Sequence, residues 1–431
     1  MLLIYTHKIT PRFSYIMKQL FTGILGIEVS YTTKVEDFIK HKGAKITYSK
    51  QPLQNEFFVR SGELLFDQGI NDLQIKVHDW EGTPCFFPAG ERSSLPFDIF
   101  AASFYLLSRY EEYLPHVKDG HGRFPPNGSM AYQHTFLDVP VVDVWALKLL
   151  KRLKERFPDL SEAQKSFSHT SIIDVTTSHC YAHRGLVRSL AGILLDLASL
   201  RLKRIVERFR VWMDPSRDPY DNFFGLVALH KKYRTESMFF FQFAEYSTYD
   251  KNVSPNNNKF RHLIKSIADY SIVSLAASYS SFQDIALLKR EKKELSQVLH
   301  RPIRHSRMRY NRVDIPTTYR NLVEAEFTDD FTMGYTHEIG FRAGTCTPFQ
   351  FYDIPLEVAQ PIKIHPFAVH DYALIKYGNE QEILPKIQLL INRTKEVNGK
   401  FISIFSNENL GEPNGTDWMG LYEKMLSGMY V

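Results

Sequence analysis

The chain has 431 residues with 44% apolar and 23% charged side chains, a balance that excludes intrinsic disorder and is too long for one ordinary core. Its formal net charge of +5 is small for this length, and no dense Lys/Arg stripe accompanies a reading motif, so nucleic acid is not an expected partner. Three widely spaced cysteines, Cys85, Cys180 and Cys346, fit a reducing compartment. The N-terminal apolar run is too short for a signal sequence, and no run reaches the length of a transmembrane segment; both point to a cytoplasmic protein.

Two textures follow one another, placing an accessory α/β unit over 1–165 and a second unit over 166–431. In the first, Leu2–Tyr5 and Glu63–Phe66 read as strands. A helix opens at Asp98 and runs to Tyr113, with Phe100, Phe104, Leu107 and Tyr110 forming one stripe. The stretch 118–128 is turn-rich, and a second helix from Val141 to Phe157 stops at Pro158.

From Ser171 the pattern becomes short apolar runs alternating with amphipathic segments. The runs are 171–174, 237–241, 271–275, 362–365 and 401–405; the helical stretches lie near 219–233, 257–268, 284–299, 316–326 and 383–397. Such alternation predicts a parallel sheet or (β/α) barrel, with chemistry at the C-terminal strand ends. One segment departs from it: 186–212 reads as a long basic amphipathic helix carrying Arg201, Lys203, Arg204, Arg208 and Arg210, a solvated face that also suits docking to a protein partner or an anionic membrane.

The chemistry-bearing residues concentrate in Thr328–Tyr335, Gly340–Phe349 and Ile364–Phe367. Asp329 and Asp330 are adjacent, so on a strand at most one faces a pocket. Arg342 suits a substrate anion or an ion pair with one of them. Cys346 reads as a small buried thiol. His179 and His183, four apart, fit one helix face and could bind a metal with Asp174 or His305 as the third ligand.

These segments, with Leu95–Asp98, Leu107–Glu112 and Pro140–Trp145, resemble the polysaccharide deacetylases of carbohydrate esterase family 4, in a bacterial branch with an added N-terminal domain. The resemblance implies a distorted (β/α) barrel behind a small α/β domain, and a hydrolase that removes acetyl groups from carbohydrate with one divalent metal such as zinc. It also implies a role in surface-polysaccharide metabolism. In that chemistry the metal activates water, a carboxylate takes its proton and a histidine protonates the leaving amine. Mapped onto this chain, the base is Asp174 and the acid is His365.

The metal-ligand positions, however, are changed to Thr176, Ala276 and Arg309, and Ser406 replaces a further histidine. Alanine has no lone pair, and a dication ~4 Å from a guanidinium is repelled by several kcal/mol even at a screened effective dielectric. The expected protein is therefore a non-catalytic or impaired deacetylase-like chain with no metal, binding a carbohydrate ligand or a partner. Arg307, Arg309, Asp329, Asp330 and Arg342 would then contact the ligand, and Asp174, Ala276, Arg309, His365 and Ser406 would converge on one cleft. The alternative is an active enzyme whose ligands have moved to Asp174, His179, His183 and His305.

Overall fold

The computed structural model describes residues 1–411 and 416–429. A four-stranded parallel sheet, ordered β2-β1-β3-β4, opens the chain: β1 Leu2–Thr6, β2 Val29–Thr32, β3 Lys45–Ser49 and β4 Phe57–Arg60. A short hairpin follows, β5 His78–Trp80 with β6 Thr83–Cys85. Glu63–Phe66, predicted as a strand, is a turn. The carbonyls of Leu64 and Leu65 are claimed by the side chains of Arg12 (3.0 Å) and Thr10 (2.5 Å), which leaves no ladder to join. The helix capped by Asp98 ends at Leu107, short of Tyr113, because Arg109 takes a left-handed conformation (φ 54°).

The large sheet has nine strands: β7 Ser168–Val175, β8 Glu236–Gln242, β9 Ile272–Ala277, β10 His305–Met308, β11 Asp329–Asp330, β12 Phe349–Asp353, β13 Val358–Ile364, β14 Val369–His370 and β15 Lys400–Ser406. Their order is β12-β13-β11-β10-β9-β8-β7-β15-β14, parallel except for the antiparallel edge strand β12. Among the described residues no ladder joins the two edges, so the sheet is open where a barrel was expected.

One chain segment nevertheless links the two flanks. β13 pairs with β11, and after four residues the chain becomes β14, paired with β15. Between them the His365 amide donates to Asp330 O (2.8 Å), Phe367 to Met333 O (3.0 Å) and Ala368 to Ile402 O (3.0 Å). The sheet is therefore strongly curled. Alternate side chains of each strand split between two apolar clusters, as a period of two requires. Ile172, Met238, Phe240, Ala276, Ile402 and Ile404 point inward with Phe331 and Phe367, whereas Ile173, Phe239, Phe241, Leu275, Phe401 and Phe405 face the covering helices. Runs such as Met238–Phe241 are apolar throughout because both faces are covered.

The predicted 186–212 helix is two helices, Leu186–Ala198 and Leu202–Met213. Leu200 (φ 54°) breaks them, and the Arg201 amide returns to Asp196 O at 2.8 Å. No described helix is long and apolar enough to cross a membrane.

The segment 340–357 fastens the N-terminal part to the large sheet. The Phe341 amide bonds Leu137 O (2.7 Å), and Asp143 accepts from Thr345, Thr347 and the Cys346 amide at 2.6, 2.5 and 3.1 Å. Gly340 holds φ 126°, and a Cβ there would collide with the Leu137 carbonyl. Arg342 is buried and grips both oxygens of Glu112, 2.9 Å from Nε and 2.6 Å from Nη2. Arg109 Nε shares Glu112 Oε1 (2.7 Å), its Nη2 bonds Glu111 (2.7 Å), and its Nη1 donates to the Arg342 carbonyl. Burial alone would raise the Glu112 pKa; the two guanidiniums outweigh it and hold the carboxyl below its usual range. We expect Arg342→Ala to cost about 3–5 kcal/mol of stability by leaving this buried network unbalanced, as checked by denaturant unfolding.

Candidate functional site

Asp174 ends the inward row of β7, and Arg307 lies on β10. The Arg307 Nε donates to Asp174 Oδ2 at 3.1 Å, and its Nη1 bonds Phe331 O at 2.9 Å. Arg307 is 2% exposed and lies 5.3 Å from the centre of the Phe367 ring. Asp174 Oδ1 finds no hydrogen-bond partner among the described residues. Above this pair the chain turns sharply, with Tyr310 and Asn311 both left-handed (φ 58° and 52°). Such backbone costs energy and is held here by its surroundings. Arg123, from the N-terminal part, donates through Nη1 to Tyr310 O (2.7 Å) and Thr336 Oγ1 (2.8 Å), and Asn311 Nδ2 bonds the same hydroxyl (2.8 Å).

These residues line a cavity of about 260 Å³ together with His121, Arg309, His337, His370 and Tyr372. Three arginines face it; Arg307 is paired with Asp174 and Arg123 with Asp119 (2.7 Å), which leaves Arg309 as the excess positive charge. The His121 ring stacks on Tyr310 at 4.7 Å, and the Arg309 guanidinium sits 4.6 Å from the same ring. Burial and the neighbouring Arg123 pull the His121 pKa below its ordinary value.

On the opposite wall, His370 Nδ1 lies 2.7 Å from Asp371 Oδ1. Asp371 Oδ2 accepts from the Ser406 amide and hydroxyl (2.7 and 2.6 Å) and from Asn409 Nδ2 (2.9 Å). Burial would raise Asp371, but these bonds and His370 hold it below its usual range. A histidine fixed by a buried carboxylate is an oriented acid–base group. Sequence reasoning missed it, because attention to His365 passed over the His370-Asp371 pair five residues later; the loop residues His121 and Arg123 gave no signal of facing the site.

His365 does not reach this cavity. Its Nε2 pairs with Asp329 Oδ1 (2.7 Å), and its ring stacks on Phe331 at 4.4 Å. Its charged surroundings include Lys400 and Glu236, the first residues of β15 and β8, so it lies toward the N-terminal strand ends. His305 is in the same region, 3.2 Å from Ser274 Oγ. The inward apolar layer separates the two polar groups: Phe331 packs on His365, while Phe367 faces Arg307 and His370. Asp174 and His365, expected as base and acid of one site, are not brought together.

Nor do the other expected contacts meet in one place. Asp330 is buried, accepting from Ser306 Oγ (2.9 Å) and Thr332 Oγ1 (2.8 Å), and burial pushes its pKa up to about 6. Arg342 pairs with Glu112 rather than with Asp329 or Asp330. Ala276 belongs to the apolar layer and Ser406 serves Asp371, so only Asp174, Arg307 and Arg309 of the expected residues line the cavity.

The donor set does not fit a divalent metal. Thr176 gives its hydroxyl to Glu408 (2.6 Å), Asp174 is ion-paired through Oδ2 with Arg307, and Arg309 is a fixed cation. The alternative ligands are dispersed. His179 and His183 are in the loop 176–185, not on a helix; their rings are 4.9 Å apart, while His305 is in the distant cluster. Burial drives the His179 pKa down to about 4. Among the described residues no three His, Cys, Asp or Glu side chains are placed to hold a metal.

Residues 2–158 match a model described as a family of unknown function (DUF7033). No match was found among curated proteins. Among solved structures, the chain is similar to a protein assigned as a polysaccharide deacetylase from Mycobacterium smegmatis (11% identity, TM-score 0.41, 62% of this chain and 84% of that one). It is also similar to a polysaccharide deacetylase from Bacillus cereus (10%, 0.31, 62% and 88%). A third is a GH138 enzyme targeting pectin rhamnogalacturonan II (11%, 0.28, 100% and 63%).

Burial would raise Asp329, but hydrogen bonds from His365 and Thr328 bring it from an ordinary 3.8 to about 2. A depressed folded-state pKa stabilises the protein above the unfolded value and is lost as pH falls. We expect the stability difference between wild type and Asp329→Asn, followed by urea unfolding, to shrink as pH drops from about 4 to 2.

Proposed function

We infer that this chain is a non-catalytic carbohydrate-binding relative of the polysaccharide deacetylases, acting in the cytoplasm in surface-polysaccharide metabolism, and that its cleft takes an acidic sugar. The observation that carries this reading is the Arg307–Asp174 pair in the cavity lining, beside Arg309, the guanidinium that stands at one of the metal-ligand positions the resemblance implies. The Arg307 guanidinium neutralises the carboxylate and Arg123 is paired with Asp119, so the excess positive charge of the lining rests on Arg309. Guanidinium forks match carboxylate and phosphate oxygens in pairs, and aromatic rims at Tyr310 and Tyr372 offer flat apolar faces to a ring. No metal is required for that role.

A second reading, retained hydrolysis, draws on the His370–Asp371 pair facing the same cavity. An acid–base histidine contributes about 10²–10⁴-fold, and the activated water and polarised carbonyl would still be missing. Migration of the metal to His179, His183 and His305 has no support in their placement.

Calorimetry should show uronic-acid oligosaccharides binding at least ~10-fold more tightly than neutral ones of equal length, equivalent to about 1.4 kcal/mol. Arg309→Ala should remove most of that preference. No acetate should be released from chitin oligomers or acetylated polysaccharide, with or without added zinc. Acetate release abolished by a chelator and by His370→Ala would replace the binding reading with the hydrolytic one.

A further inference from the structure

The connection after β7 leaves the loop 176–185 and forms an antiparallel pair of helices, Leu186–Ala198 and Leu202–Met213, whose outside is apolar. Leu194, Leu195, Leu200, Leu202 and Met213 are 67, 69, 81, 61 and 81% exposed, and Phe209 and Trp212 are 47 and 42% exposed. The inside of the pair is ionic: Asp196 is buried and accepts from Arg208 Nε at 2.8 Å. Of the pair's described residues, only Val211 is buried in an apolar cluster, a small one with Tyr181 and Ala182. This reverses the usual arrangement of a surface helix, which keeps its leucines inward.

Charge identifies the occupant. Between Arg184 and Arg217 there are eight arginines and lysines against three acids, an excess as large as the formal net charge of the whole chain, +5. The acids are engaged locally: Asp196 with Arg208, Asp214 with Arg217 at 3.0 Å, and Glu207 with the Tyr181 hydroxyl at 3.4 Å. Exposed Arg201, Lys203 and Arg210 accompany the exposed leucines. Apolar side chains rimmed by cations, with Trp and Phe among them, suit insertion between anionic headgroups.

We propose that this helical pair docks the protein on an anionic lipid surface. Docking would turn the end of the sheet that carries Asp174 toward the membrane, because the pair is the connection leaving that strand end. The proposal does not depend on what the cleft binds.

The test is partition of the full chain onto phosphatidylglycerol–phosphatidylcholine vesicles, against phosphatidylcholine alone. Trp212 reports on it, because Trp80, Trp145 and Trp418 are buried, so its emission should shift to the blue on docking. We expect at least ~10-fold stronger partition onto the anionic vesicles. It should weaken as ionic strength rises from ~0.1 to ~1 M and the screening length falls from ~10 to ~3 Å. Arg201→Glu with Arg210→Glu, and separately Leu194→Ser with Leu195→Ser, should each lower it at least ~10-fold with unchanged thermal unfolding, since all four positions are exposed. Wild-type protein that ignores vesicle charge, or fails to bind, overturns the proposal without any variant. So does a self-association in sedimentation that the leucine variant abolishes, because a second copy would then cover the face.

Discussion

The buried contact between Glu112 and the two guanidiniums of Arg109 and Arg342 fixes more of this molecule than any other interaction. Ions taken out of water are stable only when their bonds are nearly all satisfied, so such a network tolerates one arrangement. Here both Glu112 oxygens are used, and Arg109 bonds Glu112, Glu111 and the Arg342 carbonyl. That last bond ties the side-chain network to the backbone of the 340–349 strap. The strap leads directly into β12 and β13, whose continuation 365–370 joins the two flanks of the large sheet. The same docking brings Arg123 over the turn at Tyr310, where it completes the cleft. The N-terminal part is thus a wall of the site, not merely an appendage.

The inward apolar layer then decides what can react with what. Phe331 and Phe367 belong to the same inward cluster, one against His365 and the other against Arg307 and His370. A low-polarity layer between two charged groups keeps water from linking them. Each is therefore paired locally, Asp329 with His365 and Asp174, through Oδ2 alone, with Arg307. The parity of the strand explains Asp330 in the same terms. As the neighbour of Asp329 it must face the other way, where Ser306 and Thr332 supply its hydrogen bonds.

Much of this was legible in the sequence. The apolar runs 171–174, 237–241, 271–275 and 401–405 all lie in β7, β8, β9 and β15, give or take one residue at the start of β9, and the helical stretches follow the same alternation, because periodicity reports burial directly. What it could not convey was how the sheet is sheared. Asp329 pairs with Lys363, so His365 enters the crossing segment while still level with residues that open other strands. Read along the chain, it ends a strand; in space it lies near strand beginnings, and His370 reaches the mouth instead. The break at Leu200 was hidden for a related reason: one left-handed residue turns a continuous amphipathic pattern into a pair, with no glycine or proline to announce it.

The residues at the positions where the resemblance implies metal ligands are each accounted for by their surroundings. Thr176 and Ser406 are hydroxyl donors, and each now serves a carboxylate, Glu408 and Asp371 respectively. Ala276 is small enough to join the apolar layer without leaving a polar atom unpaired inside it. Arg307 supplies the charge that the Asp174 carboxylate needs in a half-buried position. Thr176 and Ser406 are each bonded to a carboxylate, so replacing either hydroxyl would leave that partner short of a hydrogen bond. Arg309→His alone would remove a cation from the rim, yet Asp174 would remain held by Arg307. A metal would have to compete with a guanidinium that is already in contact, and it would do so with a ligand set short of three. The electrostatics of the cleft are thus set by fixed side-chain ion pairs, Arg307 with Asp174 and Arg123 with Asp119.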